Sequence, residues 1–355
     1  MARTSSAEEL ARLILQAKRV LVLSHYNPDA DAYGSSCGLV LALRSARAHG
    51  IGPEVKVLNE SGILERYAFL PAVRDVQADW PQGYSADLIV ACDCGDLKRI
   101  GDRLLTGLPS ALPIVNIDHH ISNASFGSHN LVCVEASSTS EIIYGVIKAL
   151  SHATGKELLT AEAATCLFAG ISGDTGSFRY ASARESTFAV ALELVRAGAH
   201  TSLVARNLYG RESLSAVKLQ AEALLGLSFW MNDRVAVVSV SAEMRARHHA
   251  SVEDTEALVE RARDIEGVEV AVFMREEADF WKVSLRAQDA GDGRGINVAK
   301  IAEHFGGGGH RAAAGFRTRL PQPSLAAALQ SQLLSAFADS GVGMQSVIES
   351  AHDSK

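Results

Sequence analysis

Two textures alternate along the first half of the chain. Short runs are largely apolar, as in Arg19-Val-Leu-Val-Leu-Ser24, and further runs of this kind lie at 55–58, 87–91 and 113–117. Such runs suit strands buried on both faces of a parallel sheet. Between them, apolar residues recur every three or four positions. Leu10, Leu13 and Ile14 predict a helix over 6–17, and 32–49 reads as another. Strand and helix in alternation predict an α/β protein whose N-terminal domain is a doubly wound, Rossmann-like parallel sheet. Helices are expected at 138–151, 161–171, 185–197 and 213–228. After Asn232 the texture changes: 235–240, 268–275 and 281–287 read as strands, and 253–264, 297–304 and 322–337 as helices. The expected organisation is a catalytic domain over 1–198, a helical linker over 199–228, a smaller α/β domain over 229–340, and a disordered tail over 341–355.

Three polar clusters follow predicted strands: Ser24-His25-Tyr26-Asn27-Pro28-Asp29-Ala30-Asp31, then Asp93, then Asp118-His119-His120. A fourth, Gly173-Asp174-Thr175-Gly176, follows a helix. In a doubly wound sheet, ligands gather at the carboxyl ends of the strands, so the first three clusters converge there. An aspartate after a strand is often only a helix cap or a turn former. Several aspartates crowded together, however, repel one another unless a cation compensates them. Carboxylate oxygens mixed with imidazole nitrogens suit Mn²⁺, and two ions sharing a carboxylate suit phosphoryl transfer. Cys92 and Cys94 flank Asp93 with zinc-like spacing, but strand alternation explains them better by turning both away from the side of Asp93.

Near the C-terminus stands Phe305-Gly-Gly-Gly-Gly-His310-Arg311-Ala-Ala-Ala-Gly315. A glycine run can be a flexible linker. This one lies between a predicted helix and an alanine-rich segment that also reads as helical. Gly307, Gly308 and Gly309 would let backbone amides approach an anion, with a helix N-terminus, His310 and Arg311 adding donors.

Composition narrows the class. A chain of 355 residues exceeds one ordinary core. A net charge of −7 argues against a protein that coats long nucleic acid. From Val270 to Leu320, eight Lys and Arg stand against six Asp and Glu, so the second domain is locally basic. Five cysteines, an odd number, argue against a disulfide framework and for a reducing cytoplasm. No apolar run reaches membrane-spanning length, and no membrane partner is expected.

The order His-x-x-x-Asp-x-Asp, post-strand Asp, Asp-His-His, Gly-Asp-Thr-Gly resembles the DHH phosphoesterase superfamily. That superfamily includes RecJ-type exonucleases, cyclic-di-AMP phosphodiesterases, manganese pyrophosphatases and NrnA-type oligoribonuclease/pAp phosphatases. The glycine motif is similar to that of the DHH-associated C-terminal domain. The resemblance implies one metal ion on His25, Asp29 and Asp93, and a second on Asp31, Asp93, His119 and Asp174. It implies that Asp118 orients a histidine, that His120 lies near the scissile phosphate, and that water is activated between two ions, most simply Mn²⁺. Arg286 and His310 would contact substrate, with Ser284 a weaker candidate, and Ala287 replaces a serine usual in the family. Asp93, Asp118 and His120 thus form the expected catalytic set. The expected activity is NrnA-like: short oligoribonucleotides (nanoRNA) are hydrolysed to 5′-mononucleotides, and 3′-phosphoadenosine 5′-phosphate to AMP and phosphate. The alternative is a phosphodiesterase for pApA, pGpG or cyclic-di-AMP. A nucleotide sensor with a dead site would lack at least one ligand, and none is missing. The resemblance alone allows a homodimer.

Overall fold

In the computed structural model, residues 3–109, 112–288 and 295–340 are described, and contacts divide the chain into Met1–Arg211 and Glu212–Lys355. The division falls inside the 199–228 stretch read as a linker. The expected tail, 341–355, lies outside the described residues.

The first unit is built on six parallel strands: β1 (Arg3–Thr4), β2 (Arg19–Leu23), β3 (Glu54–Leu58), β4 (Leu88–Cys92), β5 (Ile114–Asp118) and β6 (His129–Val132). Their order is β1-β6-β5-β4-β2-β3. The chain steps from β2 to β3 on one side, then returns across β2 to β4. The strand order therefore reverses between β2 and β4, and a crevice opens at their carboxyl ends. The four apolar runs became β2 to β5. Strands β1 and β6 were not expected, because His129-Asn130-Leu131-Val132 is half polar. Asn130 is nonetheless buried, its side chain exchanging hydrogen bonds of 3.0 and 2.8 Å with the backbone of Gly127.

One face of this sheet packs against α1 (Ala7–Gln16), α2 (Ala30–Ala48), α4 (Thr139–Thr154) and α5 (Ala161–Asp174). The other face meets a thinner layer that includes α3 (Asp102–Thr106). Helix α2 is buried almost all round. Its small residues allow this: a Cβ on Gly34 would lie 2.6 Å from the Cys166 carbonyl oxygen of α5. Helices α6 (Glu185–Arg196) and α7 (Thr201–Tyr209) complete the unit.

The second unit begins with α8 (Leu214–Leu225) and carries β7 (Ser228–Trp230), β8 (Val235–Val240), β9 (Val270–Glu276), β10 (Trp281–Ala287), β11 (Gly308–His310) and β12 (Ala313–Thr318). Their order is β11-β12-β10-β9-β8-β7, with only the β8–β9 pair parallel. On one face Val272, Val283, Leu285 and Phe316 form a core with α11 (Val298–His304) and α12 (Gln322–Asp339). On the other face α8, α9 (Ala242–Arg247) and α10 (Leu258–Arg263) pack on β8 and β9.

The structure corrects the reading of the alanine-rich segment, which is strand β12 and not a helix. Ala314 and Phe316 enter the core while Gly315 and Arg317 face the other way, so pairing with β10 overrides alanine's helical preference. No helix N-terminus follows the glycine run. The stretch 253–264 is also broken, into a 3₁₀ turn at Glu253–Thr255 and α10. Among the described residues, no single helix is long and apolar enough to cross a membrane.

Candidate active site

All four clusters meet in the first unit. His25 and Asp29 follow β2, Asp93 follows β4, and Asp118 ends β5 with His119 and His120 next. Asp31 lies in the first turn of α2, and Asp174 is the last residue of α5. The close seam between α2 and α5 brings these two carboxylates together.

Asp93 sits at the centre, its Oδ2 3.4 Å from His25 Nε2 and its Oδ1 3.7 Å from His119 Nε2. His119 Nε2 is also 3.1 Å from Asp174 Oδ2, and His25 Nε2 is 3.8 Å from Asp29 Oδ2. Three groups have candidate ligand atoms within 4.8 Å of one another: His25, Asp29 and Asp93; Asp31, His119 and Asp174; Asp93, His119 and His120. The cap reading of Asp29 holds as well. Its Oδ1 accepts from the amides of Asp31 and Ala32, both at 3.0 Å, while Oδ2 faces the cluster.

Each imidazole is aimed. His25 Nδ1 donates to the Tyr26 carbonyl at 2.9 Å, which turns Nε2 to the cluster. His120 Nδ1 bonds Asp118 Oδ1 at 2.7 Å, so Asp118 orients His120. Such outer partners fix tautomer and orientation. Asp93 takes a left-handed backbone, φ 57°, rare for a residue with a side chain. That turn breaks the strand alternation, so Cys92 and Cys94 enter different cores and not one common face. Both are fully buried, and burial pushes both thiols well above their usual range. The pair is thus no thiolate ligand set and no exposed redox target.

Electrostatics favour a cation. Burial, then repulsion from Asp93 and Asp174, raises the Asp31 carboxyl well above its usual range. Asp174 is raised to about 6, chiefly by burial, with Asp29 and Asp93 adding to it. Burial opposes charge on His119, but Asp174, Asp31 and Asp93 outweigh it and lift the imidazole to about 10. His25 is likewise raised against burial, by Asp29 and Asp93. Without a metal ion, protons compensate the crowded carboxylates. The donors are hard oxygens and imidazole nitrogens, so the residues fit divalent cations.

Several supporting residues were not singled out in the sequence. Asn59 Nδ2, at the end of β3, donates to the His25 carbonyl at 2.8 Å and to Ser24 Oγ at 2.9 Å. Asn123 Nδ2 donates to Asp118 Oδ2 at 2.6 Å. Their signal was weak: Asn59 is a lone asparagine just past β3, and Asn123 is one in the loop after β5. The sequence of Ser137 to Ser140 reads as a helix cap before Glu141, and the family resemblance also sets this stretch beside the active site; Thr139 and Ser140 touch the central aspartates directly.

In the second unit, strand register gathers the remaining candidates. His310 pairs with Ala313, and Ala313 with Arg286; Gly308 pairs with Gly315, and Gly315 with Ser284; Arg317 pairs with Lys282. Paired residues share a face, so a trough of small residues is rimmed by His310, Arg286, Lys282 and Arg317. An open cavity of about 430 Å³ is lined by Lys282, Arg317, Gly306, Gly307, Gly315 and Phe316. Gly307 has no room for a side chain, since a Cβ would lie 2.2 Å from the Gly315 carbonyl oxygen. Gly309 has φ 147°. Arg286 Nε donates to Glu260 at 2.7 Å, and Arg311 donates to the Gly295 carbonyl at 2.6 Å. Lys282 is lowered by burial and by the nearby Arg275 and Arg317.

Residues 19–171 match the DHH family, N-terminal domain, and residues 232–338 match the DHHA1 domain. The chain is 30% identical over 310 residues to the bifunctional oligoribonuclease and PAP phosphatase NrnA of Bacillus subtilis, covering 86% of this chain and 91% of that protein. It is 30% identical over 296 residues to the NrnA of Thermus thermophilus, covering 83% of each. An exopolyphosphatase-related protein from Bacteroides fragilis superposes with a TM-score of 0.83 at 25% identity, over 94% of this chain and 96% of that one. With both domains matched in order and this likeness running through most of the chain, the protein belongs to the DHH family and is a phosphoesterase, a hydrolase with a DHHA1 domain as its second module.

Proposed function

We propose that the protein hydrolyses short oligoribonucleotides to 5′-mononucleotides and removes the 3′-phosphate of 3′-phosphoadenosine 5′-phosphate. The observation that carries this reading is the buried carboxylate and imidazole cluster at the strand-order reversal, assembled from four separate segments. One divalent ion would be held by His25, Asp29 and Asp93, and a second by Asp31, Asp93, His119 and Asp174. The mixed oxygen and nitrogen set without thiolate favours Mn²⁺. When bound, such ions stabilise charge on phosphoryl oxygens and lower the pKa of water.

The chain's own groups supply the rest. Asp93 faces His25 with one oxygen and His119 with the other, as a shared ligand must. His120 is held through Nδ1 by Asp118, and that carboxylate together with Asp93 outweighs burial and raises the imidazole. The imidazole of His120 is thus biased toward its protonated form and would serve as a donor to the phosphoryl oxygen or leaving group. The trough on the second sheet is the substrate-binding surface: Gly307 to Gly309 bring backbone close to an anion, and Arg286, Ser284 and His310 share its face, whereas Arg311 donates to the Gly295 carbonyl and lines a separate cavity with Lys300 and Asp339. Lys282 and Arg317 join the set on the trough. A local basic rim on an acidic chain suits a short phosphodiester better than a long polymer track. Five unpaired cysteines support a reducing cytoplasm as its setting.

The test is product analysis with purified protein and Mn²⁺ on a 5′-phosphorylated diribonucleotide, a ribo-24-mer, 3′-phosphoadenosine 5′-phosphate and cyclic-di-AMP. Rapid release of mononucleotides from the dimer, with slow attack on the long strand, is expected. Cleavage of cyclic-di-AMP alone would replace this reading with a cyclic-dinucleotide phosphodiesterase.

A further inference from the structure

Asp31 belongs to one of the candidate ligand groups and Asp93 to the other two. They stand on different elements, and one residue touches both. Thr139, fully buried in the first turn of α4, donates its backbone amide to Asp31 Oδ2 at 2.6 Å and its hydroxyl to Asp93 Oδ1 at 3.1 Å. The Ser140 amide donates to Asp31 Oδ1 at 2.9 Å, which completes a two-point grip on that carboxylate. Amides of a helix's first turn have no partner within the helix, so this grip uses donors the fold leaves available.

The helix start is itself pinned. Ser138 caps α4 by accepting from the Glu141 amide at 3.2 Å. Glu141 Oε2 accepts from the Ser137 amide at 3.0 Å, from the Ser137 hydroxyl at 2.7 Å, and from the Thr187 hydroxyl of α6 at 3.0 Å. Beneath Ser140, Gly170 clears the space: a Cβ there would lie 2.0 Å from Ser140 Oγ and 2.6 Å from Asp31 Oδ1. We infer that Thr139 is a positioning residue that fixes the spacing between the two metal subsites, holding one through its amide and the shared carboxylate through its hydroxyl. This rests on the two-metal reading above.

Substitution leaves the amide in place, so the hydroxyl can be tested alone. Thr139→Val keeps shape and removes the donor; Thr139→Ser keeps the donor; Thr139→Ala removes it without adding volume. Calorimetric titration of the metal-free full-length proteins with Mn²⁺ is expected to give two ions per chain for wild type and Thr139→Ser. Thr139→Val and Thr139→Ala should bind about 10- to 100-fold more weakly, with a matching fall in kcat and little change in KM. Two ions bound as tightly by both Thr139→Val and Thr139→Ala as by wild type would overturn the role of Thr139 alone. Absence of Mn²⁺ binding by wild type would overturn the metal reading beneath it. Weakened binding in Thr139→Ser equal to that in Thr139→Val would point to packing and also overturn the hydroxyl's role.

Discussion

Single side chains in this site do two jobs by dividing their atoms. One oxygen of Asp29 caps α2 and the other faces His25. Asp93 divides its oxygens between two histidines. Asp93→Ala should therefore remove turnover and the Mn²⁺-dependent rise in melting temperature together; retention of either would show that Asp93 is not shared. The imidazoles yield a second prediction. His119 is raised to about 10 and His25 well above its usual range, so the crowded carboxylates favour the protonated imidazoles in the metal-free protein. A metal ion must displace those protons. Binding should release protons at pH 7, and affinity should weaken as pH falls. Calorimetry in two buffers of different ionisation heat measures this, and a buffer-independent heat would contradict it. On the second sheet, Lys282→Ala and Arg317→Ala should each raise KM for a phosphorylated dinucleotide severalfold and leave kcat nearly unchanged, as steady-state kinetics would show.

At the scale of elements, the seam of α2 and α5 places Asp31 beside Asp174, and Gly170 of α5 faces both Asp31 and Ser140 with no room for a methyl. An exposed helical Gly→Ala change stabilises by roughly 1 kcal/mol. Here the sign should invert: Gly170→Ala forces a methyl against Ser140 and Asp31, costing about 1–3 kcal/mol by urea denaturation and most of the activity. Strands β2 to β5 were legible because each is a mostly apolar run of β-branched and aliphatic residues, and His25, Asp93 and Asp118 to His120 were legible because each stands at or just past the end of one. Strand β6 was hidden by its polar residues. Strand β12 was hidden by alanines whose local preference is helical and whose pairing partner lies about thirty positions away. The family resemblance set the stretch of Thr139 beside the site but did not say what Thr139 does there. Its backbone amide grips Asp31, and an amide leaves no mark on residue type.

The whole chain divides into two units with separate cores, and the acidic cluster belongs wholly to the first. A ligand that binds only the folded form stabilises the part that holds it. Scanning calorimetry should then resolve two transitions, of which Mn²⁺ raises one by several degrees and EDTA restores it; movement of both together would mean that the units unfold as one. The buried cysteines bear on the same event. Cys37, Cys92, Cys94 and Cys166 are shut inside the first unit, while Cys133 is partly accessible. A thiol-reactive dye should label Cys133 promptly and reach the other four only when the sheet opens. Because Cys92 and Cys94 bracket the central aspartate from opposite cores, the protein carries a native stopwatch at its reactive heart, and the lag before those two sulfurs colour reports how long the cradle stays shut.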